Sequence, residues 1–445
     1  MKINSIASPS RAWETMQGRS GWAGTTVAQF AILGLGVMSG VASGRLLGPQ
    51  GRGELAAITL WPFAFVYLVS MGLNQAIVFY SGGNRRASSE VLTATGLIGV
   101  VQSVLVICVG AALLPLLLRE YSESIRHLAQ LFLLCTPALI LGGYPGNVFQ
   151  GKQDLFRFNL LRMIAPGVYA AGVVALLILR RPSLPFVLCA QASGFVLALA
   201  VGCLFVFRQE APDFLWGPST AADLLTYGVK SHLSNLASYL NQRVDQLVLS
   251  LLIPAAQLGL YAVAVTIAMS VTFFPAAVGL VVFSHGSNQA EIEIKRSIGK
   301  SLRISLLWLA LGCSSLFFLV PFLIPAVLGS RFSGSILACK ILLPGMLVWG
   351  LNQVLYSGAN AMHKPILPSY AEGVGIVITI VGLALLVPRY GYVGAAIVST
   401  VSYSTSFLVM LLLAKYRMKI DLCQLFFNSG EGPLDVPVKL DQRTY

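Results

Sequence analysis

Long apolar runs, broken by short polar or Gly/Pro-containing joints, fill almost the whole chain. A helix rises about 1.5 Å per residue, so about 20 apolar residues cross a bilayer. The pattern predicts twelve such spans: Gly21–Gly44, Glu54–Tyr80, Val91–Leu118, His127–Phe149, Asn159–Leu179, Leu184–Phe207, Val229–Leu252, Gln257–Phe283, Leu302–Ala326, Ile336–Asn360, Ile366–Val387 and Tyr392–Ala414. The joints are too short to hold a soluble domain. The expected fold is an all-α polytopic membrane protein.

One run departs from the rest. Residues 230–252 read KSHLSNLASYLNQRVDQLVLSLL. They are long enough to span, yet they carry Ser231, Ser234, Ser238, Asn241, Gln242 and Asp245. At about 100° per residue these six fall within about one third of the helix surface. A membrane helix with one wet stripe lines a cavity or packs polar groups against its neighbours. The stripe is expected to form one wall of a transport pathway.

The chain also echoes itself. Gly143, Gly151, Gly167–Val168 and Ala175–Leu177 are followed at offsets of 206 to 209 by Gly350, Gly358, Gly373–Val374 and Ala384–Leu386. LGPQGRGELAAI (Leu47–Ile58) faces LIPAAQLGLYAVAV (Leu252–Val265) at an offset near 205. Such echoes point to a duplicated six-span unit. Two parallel copies pack about an axis along the membrane normal, with the substrate path between them. The expected organisation is a flank (1–20), a six-helix lobe (21–207), a linker (208–228), a second six-helix lobe (229–414) and a tail (415–445). The linker contains ADLLTY, expected as a short helix lying on the membrane surface.

Composition agrees: 56% of residues are hydrophobic and only 11% charged, against about 25% charged in soluble domains. The net charge of +13 does not signal nucleic acid, because the cations sit at span ends and no basic stretch is interleaved with aromatics. Twenty Lys/Arg fall on the side of the two termini and eight on the other, which puts both termini in the cytoplasm. The first run is too long for the core of a cleaved signal peptide. Six of the seven cysteines lie in apolar runs and none forms a CxxC, so they are expected as small buried hydrophobes. Neither metal-ligand spacing among the four histidines nor a hydrolase or P-loop motif occurs. No enzymatic function, cofactor or metal is expected.

Asp245 is the sharpest chemical signal. A carboxylate deep in a span costs about 2.5–3.5 kcal/mol on insertion scales. It lines a cavity, binds a cation, or bonds a neighbouring span. Arg243, two residues away, points to nearly the opposite face. It reaches another carboxylate, faces a second part of the cavity, or snorkels outward. Arg162 and Glu372 both fall in the cytoplasmic third of their spans and are candidate entrance residues. Lys340 is expected to snorkel. Asn74 and Gln75 are expected to glue helices together. Asn352 and Gln353 are candidates for sugar hydroxyls or for the same gluing.

Two passages carry a family resemblance: SGRLLGPQGRGELAAI (Ser43–Ile58), and LSNLASYLNQRVDQLVLSLLIPAAQLGLYAVAV (Leu233–Val265) with Asp245 and Gly259–Leu260–Tyr261. The chain resembles the polysaccharide transporter (Wzx-type) family of the multidrug/oligosaccharidyl-lipid/polysaccharide flippase superfamily. That resemblance implies two six-helix lobes related by a pseudo-two-fold axis. It also implies an inner-membrane flippase carrying polyprenyl-pyrophosphate-linked oligosaccharides to the outer leaflet. Arg45, Arg52, Arg243 and Lys340 then become candidates for the pyrophosphate. A proton or sodium ion is the candidate coupling ion. A polysaccharide polymerase and glycosyltransferases are candidate partners beside the lipid bilayer itself. Multidrug antiporters share the layout and are the alternative; a membrane-embedded glycan polymerase lacks an acidic cluster and a large loop.

Overall fold

The computed structural model describes residues 9–82, 86–209, 217–286, 291–362, 364 and 366–426. Parts of the expected flank, linker and tail lie outside these. Apolar residues wound at helical period give fifteen α-helices and no strand among the described residues. They are α1 (Pro9–Val69), α2 (Leu73–Ser81), α3 (Ser88–Leu117), α4 (Glu123–Phe132), α5 (Thr136–Leu141), α6 (Tyr144–Gly151), α7 (Leu155–Ile178) and α8 (Leu184–Gln209) in the first half. The second half has α9 (Pro218–Leu252), α10 (Ala255–Met269), α11 (Phe273–Gly286), α12 (Glu291–Leu328), α13 (Ser335–Ala361), α14 (Ile366–Arg417) and α15 (Leu422–Phe426).

Nine helical stretches among the described residues are long and apolar enough to cross a membrane. The chain is a multi-pass membrane protein. Large apolar side chains such as Val101, Val104, Leu311, Phe318 and Phe322 remain exposed on the outside of the bundle, where acyl chains would cover them. α9 is not one of the nine, because its polar stripe lowers its hydropathy. α1 and α14 are 61 and 52 residues long, and each, if straight, would be at least twice the thickness of the bilayer core. Each is instead broken at a glycine: Gly48 (φ 68°, ψ −177°) and Gly391 (φ 56°, ψ −138°). α1 thereby supplies the first expected span and most of the second, and α14 the eleventh and twelfth.

Several expected spans are not continuous. The second is interrupted after Val69, where Met71 and Gly72 are both left-handed (φ 46° and 67°). The fourth is divided into α4, a 3₁₀ turn, α5 and α6, with Pro137 and Pro145 opening the last two. The eighth is divided by a 3₁₀ turn at Ser270–Thr272. ADLLTY is not a separate surface helix: α9 runs unbroken from Pro218, so these residues are its opening turns.

α9 therefore touches both halves. Its opening turns pack on α2 and α3. Arg86 pairs with Asp223 at 2.9 Å, and Thr220 donates to the Glu90 carboxylate. Tyr227 stacks on Phe79 with centroids 4.4 Å apart, and Tyr239 stacks on Tyr67 at 4.0 Å. Its later turns pack on α14 and α10. The halves meet again where α1 packs on α10. α13 is the most enclosed span and the centre of the second half.

The two ends of the bundle differ. The kink end gathers Gly48 beside Arg331, Gly53 against Ala255, and Gly391 beside Gln257. At the opposite end, Lys364 Nζ donates to the Arg417 carbonyl at 2.8 Å. There Lys295 hydrogen-bonds Glu291 at 2.8 Å and, with Lys364 and Lys419 nearby, holds that carboxyl below the usual range.

Backbone at φ near +60° with extended ψ is a region only glycine occupies without strain, and other residues there cost about 1–3 kcal/mol. Gly48→Ala and Gly391→Ala are each expected to lower the thermal unfolding temperature in detergent. Gly36→Ala, at a helical site with open space around it, is the control that does not lower it.

Candidate functional site

α9 presents Asn241 and Asp245 on successive turns of one face. That face is turned into the second half, toward α14 and α10. Asp245 is only 2% exposed. Its Oδ2 accepts from the Tyr261 hydroxyl at 2.5 Å and from Ser399 Oγ at 3.2 Å. Its Oδ1 accepts from the Gln246 backbone N–H at 2.7 Å. Tyr261 comes from α10 and Ser399 from the second segment of α14, so one carboxylate ties three helices together. The expectation that Asp245 lines an open corridor is corrected: it faces the interior of one half. Its carboxylate is held there because three donors replace the water it has lost.

One turn away, Asn241 Nδ2 donates to Glu372 Oε2 on the first segment of α14. Ser402 Oγ, at 3.4 Å, donates to Asn241 Oδ1 and, at 2.8 Å, to the Gly375 carbonyl. Thr379 Oγ1 lies 2.8 Å from Ser402 Oγ. Glu372 is 0% exposed. Its second oxygen, Oε1, and the Tyr356 hydroxyl are buried beside each other, within interaction range, and Ser406 Oγ is buried without a hydrogen-bond partner. Tyr403 lies within electrostatic reach of both Asp245 and Glu372, and its ring packs against Trp349 at 5.1 Å. The result is a two-storey polar pocket in an apolar bundle, with two carboxylates among tyrosine, serine and asparagine side chains.

The other expected site residues are scattered. Arg162 and Glu372 do not form an entrance pair. Arg162 donates to Gln29 Oε1 at 2.7 Å and lies over the Phe158 ring, both in the first half. Burial of Glu372 against α9 separates the two. Arg45 is engaged by backbone: its guanidinium donates to the Val327 carbonyl, and to the Ala326 carbonyl at 2.7 Å. These are among the orphan carbonyls at the end of α12, so Arg45 is a helix-end clamp. Arg52 keeps its Nε buried and unpartnered near Tyr169. Arg243 makes no ion pair with Asp245 among the described residues, yet its charge reaches Asp245 and Tyr239. Lys340 lies over the Phe317 ring, 4.6 Å from its centroid.

Gln242 is partly exposed beside Asn241. The side chains of Ser231, Ser234 and Ser238 lie outside the described residues. Asn352 is fully buried with both amide atoms unpartnered, while Gln353 is partly exposed and turns its backbone carbonyl toward Gly279. Asn74 accepts from Asn147 Nδ2 at 2.8 Å, the helix-to-helix bond expected of it.

Sequence reasoning quoted Tyr261 only within a family motif, with no role, and missed Ser399, Ser402, Tyr403 and Tyr356. A signal existed for the serines. Ser399, Ser402 and Ser406 recur at spacings of three and four in an apolar run, which marks one helix face.

The comparisons agree with this architecture. A model of the family described as polysaccharide biosynthesis protein matches residues 19–283. A putative O-antigen transporter from Shigella flexneri is 23% identical over 418 residues, covering 86% of this chain and 93% of that protein. Among solved structures, lipid II flippase MurJ in an inward closed conformation superposes with a TM-score of 0.74 at 15% identity, covering 90% of this chain and 88% of that one. An inward-facing multidrug resistance MATE family transporter of the MOP superfamily also gives 0.74, at 12% identity, covering 88% and 98%. These proteins are transporters and not enzymes. The helical fold shared with these structures and a family match over more than half of the chain agree: this chain belongs to the polysaccharide biosynthesis protein family.

Proposed function

We propose that this protein flips a polyprenyl-pyrophosphate-linked oligosaccharide from the cytoplasmic to the outer leaflet of the cell membrane by alternating access. The observation that carries the cargo class is the family match over residues 19–283. The relative named as a putative O-antigen transporter supports it. The physical need is plain. Sugars and a pyrophosphate would leave many polar groups unpaired in hydrocarbon, whereas a polyprenyl tail stays in lipid throughout. Only the head needs a path, between the two halves and open sideways to the bilayer. Arg52 and Arg243, neither of them held in an ion pair among the described residues, are the cations best placed to meet the pyrophosphate. The excess of Lys/Arg on the side of the termini supports a cytoplasmic location for both.

The two-storey pocket is the proposed coupling element. A buried carboxylate cannot stay charged and unpaired at low cost. Glu372, with the Asn241 amide and the Tyr356 hydroxyl beside it and no ion pair among the described residues, is therefore the position at which a proton or sodium ion binds, and Asp245 holds α9, α10 and α14 in register around it. α9 carries the change in Glu372 occupancy, through Asn241, toward the first half.

In proteoliposomes loaded with the lipid-linked oligosaccharide, outward flipping is expected and is read by access of an added glycosidase to the sugar. Export of a cationic drug without glycan flipping would assign the protein to the multidrug class instead. Glu372→Gln is expected to keep the fold and to abolish the dependence of flipping on an imposed proton or sodium gradient. An unchanged dependence removes Glu372 from that role. Moving one negative charge outward gains about 2.3 kcal/mol per 100 mV of inside-negative potential. Clamping the potential to zero with both ion gradients absent is accordingly expected to slow flipping, and an unaltered rate counts against an electrogenic step.

A further inference from the structure

At the kink end the two halves touch through bare backbone. A Cβ built on Gly53 of α1 would overlap the Ala255 carbonyl and come within 2.9 Å of the Gly259 nitrogen. A Cβ built on Gly259 of α10 would overlap the Pro49 carbonyl and come within 2.9 Å of the Gly53 nitrogen. The contact is reciprocal. Pro49 and Ala255 are 206 positions apart, and so are Gly53 and Gly259. That is one residue from the offset of the sequence echo over the same stretch. A self-complementary contact between equivalent positions is what a two-fold axis produces. Ala255–Gly259 also has the four-residue spacing of small residues that lets membrane helices cross closely.

Two more contacts flank this crossing. A Cβ on Gly44 would meet Leu328 Cδ2 at 2.7 Å. The next residue, Arg45, donates to the last carbonyls of α12. On the other side, Trp61 Nε1 donates to Ser250 Oγ at 3.1 Å, again from α1 to the second half.

We propose that the Gly53–Gly259 crossing, with the Arg45 clamp beside it, is a latch that seals the kink end and must part on each transport cycle. It rests on the alternating-access function proposed above. A backbone-to-backbone contact suits a seal that opens repeatedly. It excludes water because nothing projects to hold the surfaces apart. It is also cheap to separate, since it rests on dispersion and weak Cα–H contacts and strands no buried charge. The Arg45 clamp is exposed, so water replaces it when the ends part.

Two arms test this on the full chain in a cysteine-free background that unfolds at the parent's temperature. In the first, Ser250→Cys reports access from the kink end to a membrane-impermeant maleimide. Adding Gly259→Val, or Arg45→Ala for a change that introduces no bulk, is expected to raise the labelling rate at least about tenfold by shifting the population toward the parted state. Folded variants labelled at the parent rate overturn the latch, and this arm needs no cargo. In the second arm, Gly44→Cys with Leu328→Cys puts a thiol on each side of the contact between the halves, and oxidation is followed by mass. The oxidised protein is expected to lose at least about nine-tenths of its flipping and to regain it with reductant. A disulfide confirmed by mass with flipping at the parent rate overturns the proposal. Absence of glycan movement in the reduced protein, with labelling as expected, refutes the cargo and leaves the latch standing.

Discussion

In the hydrocarbon layer no water is present to satisfy a stray backbone group, and this one constraint shapes the whole molecule. It forces helices, and it dictates what happens wherever a helix must stop or bend. Gln102 reaches from α3 to the carbonyl of Val69, the last residue of α1, at 2.6 Å. Ser335 donates to the Leu260 carbonyl at 2.8 Å, beside the 3₁₀ turn that follows α12. Arg45 closes the end of α12 and Lys364 the end of α14. Within helices, Ser39, Thr59, Thr95 and Ser103 turn their hydroxyls back onto carbonyls three or four residues earlier. The ends of α1, α12 and α14 are thus each met by a donor from elsewhere.

The same constraint makes the halves unequal. Every fully buried carboxylate among the described residues, Asp245 and Glu372, belongs to the second half. The first half uses amides and hydroxyls for its internal contacts, as in Asn74–Asn147 and Asn159–Thr25. Buried carboxylates are therefore confined to one half among the described residues. The symmetric contact at Gly53 and Gly259 survives where geometry alone matters, and the asymmetry appears where charge does.

Much of the fold was legible because a bilayer imposes a length and a hydropathy on each crossing. Asp245 and Asn241 were legible as residues for the same reason: polar groups stand out against Leu and Val. Their orientation was not. A wet stripe says that one face of α9 is polar, but not whether that face meets water or Tyr261 and Ser399, which lie 16 and 154 positions away. Glu372 illustrates the limit. Its place along the span suggested a mouth, and only the packing of Asn241 against it shows a sealed interior. Arg45 shows the converse, since a cation at a span end has the same pattern whether it greets a phosphate or caps a neighbouring helix. The interruption at Met71–Gly72 was hidden because the apolar pattern continues through it.

α9 has a mechanical consequence. It is a single unbroken rod of 35 residues. The Arg86–Asp223 pair and the Phe79–Tyr227 stack fasten its first turns to one half. Asp245 fastens its last turns to the other. A stiff shaft shared in this way works as an axle. It forbids the two bodies from simply drawing apart and leaves them free to swivel about it, so any gap between them has to open on the flank away from that shaft.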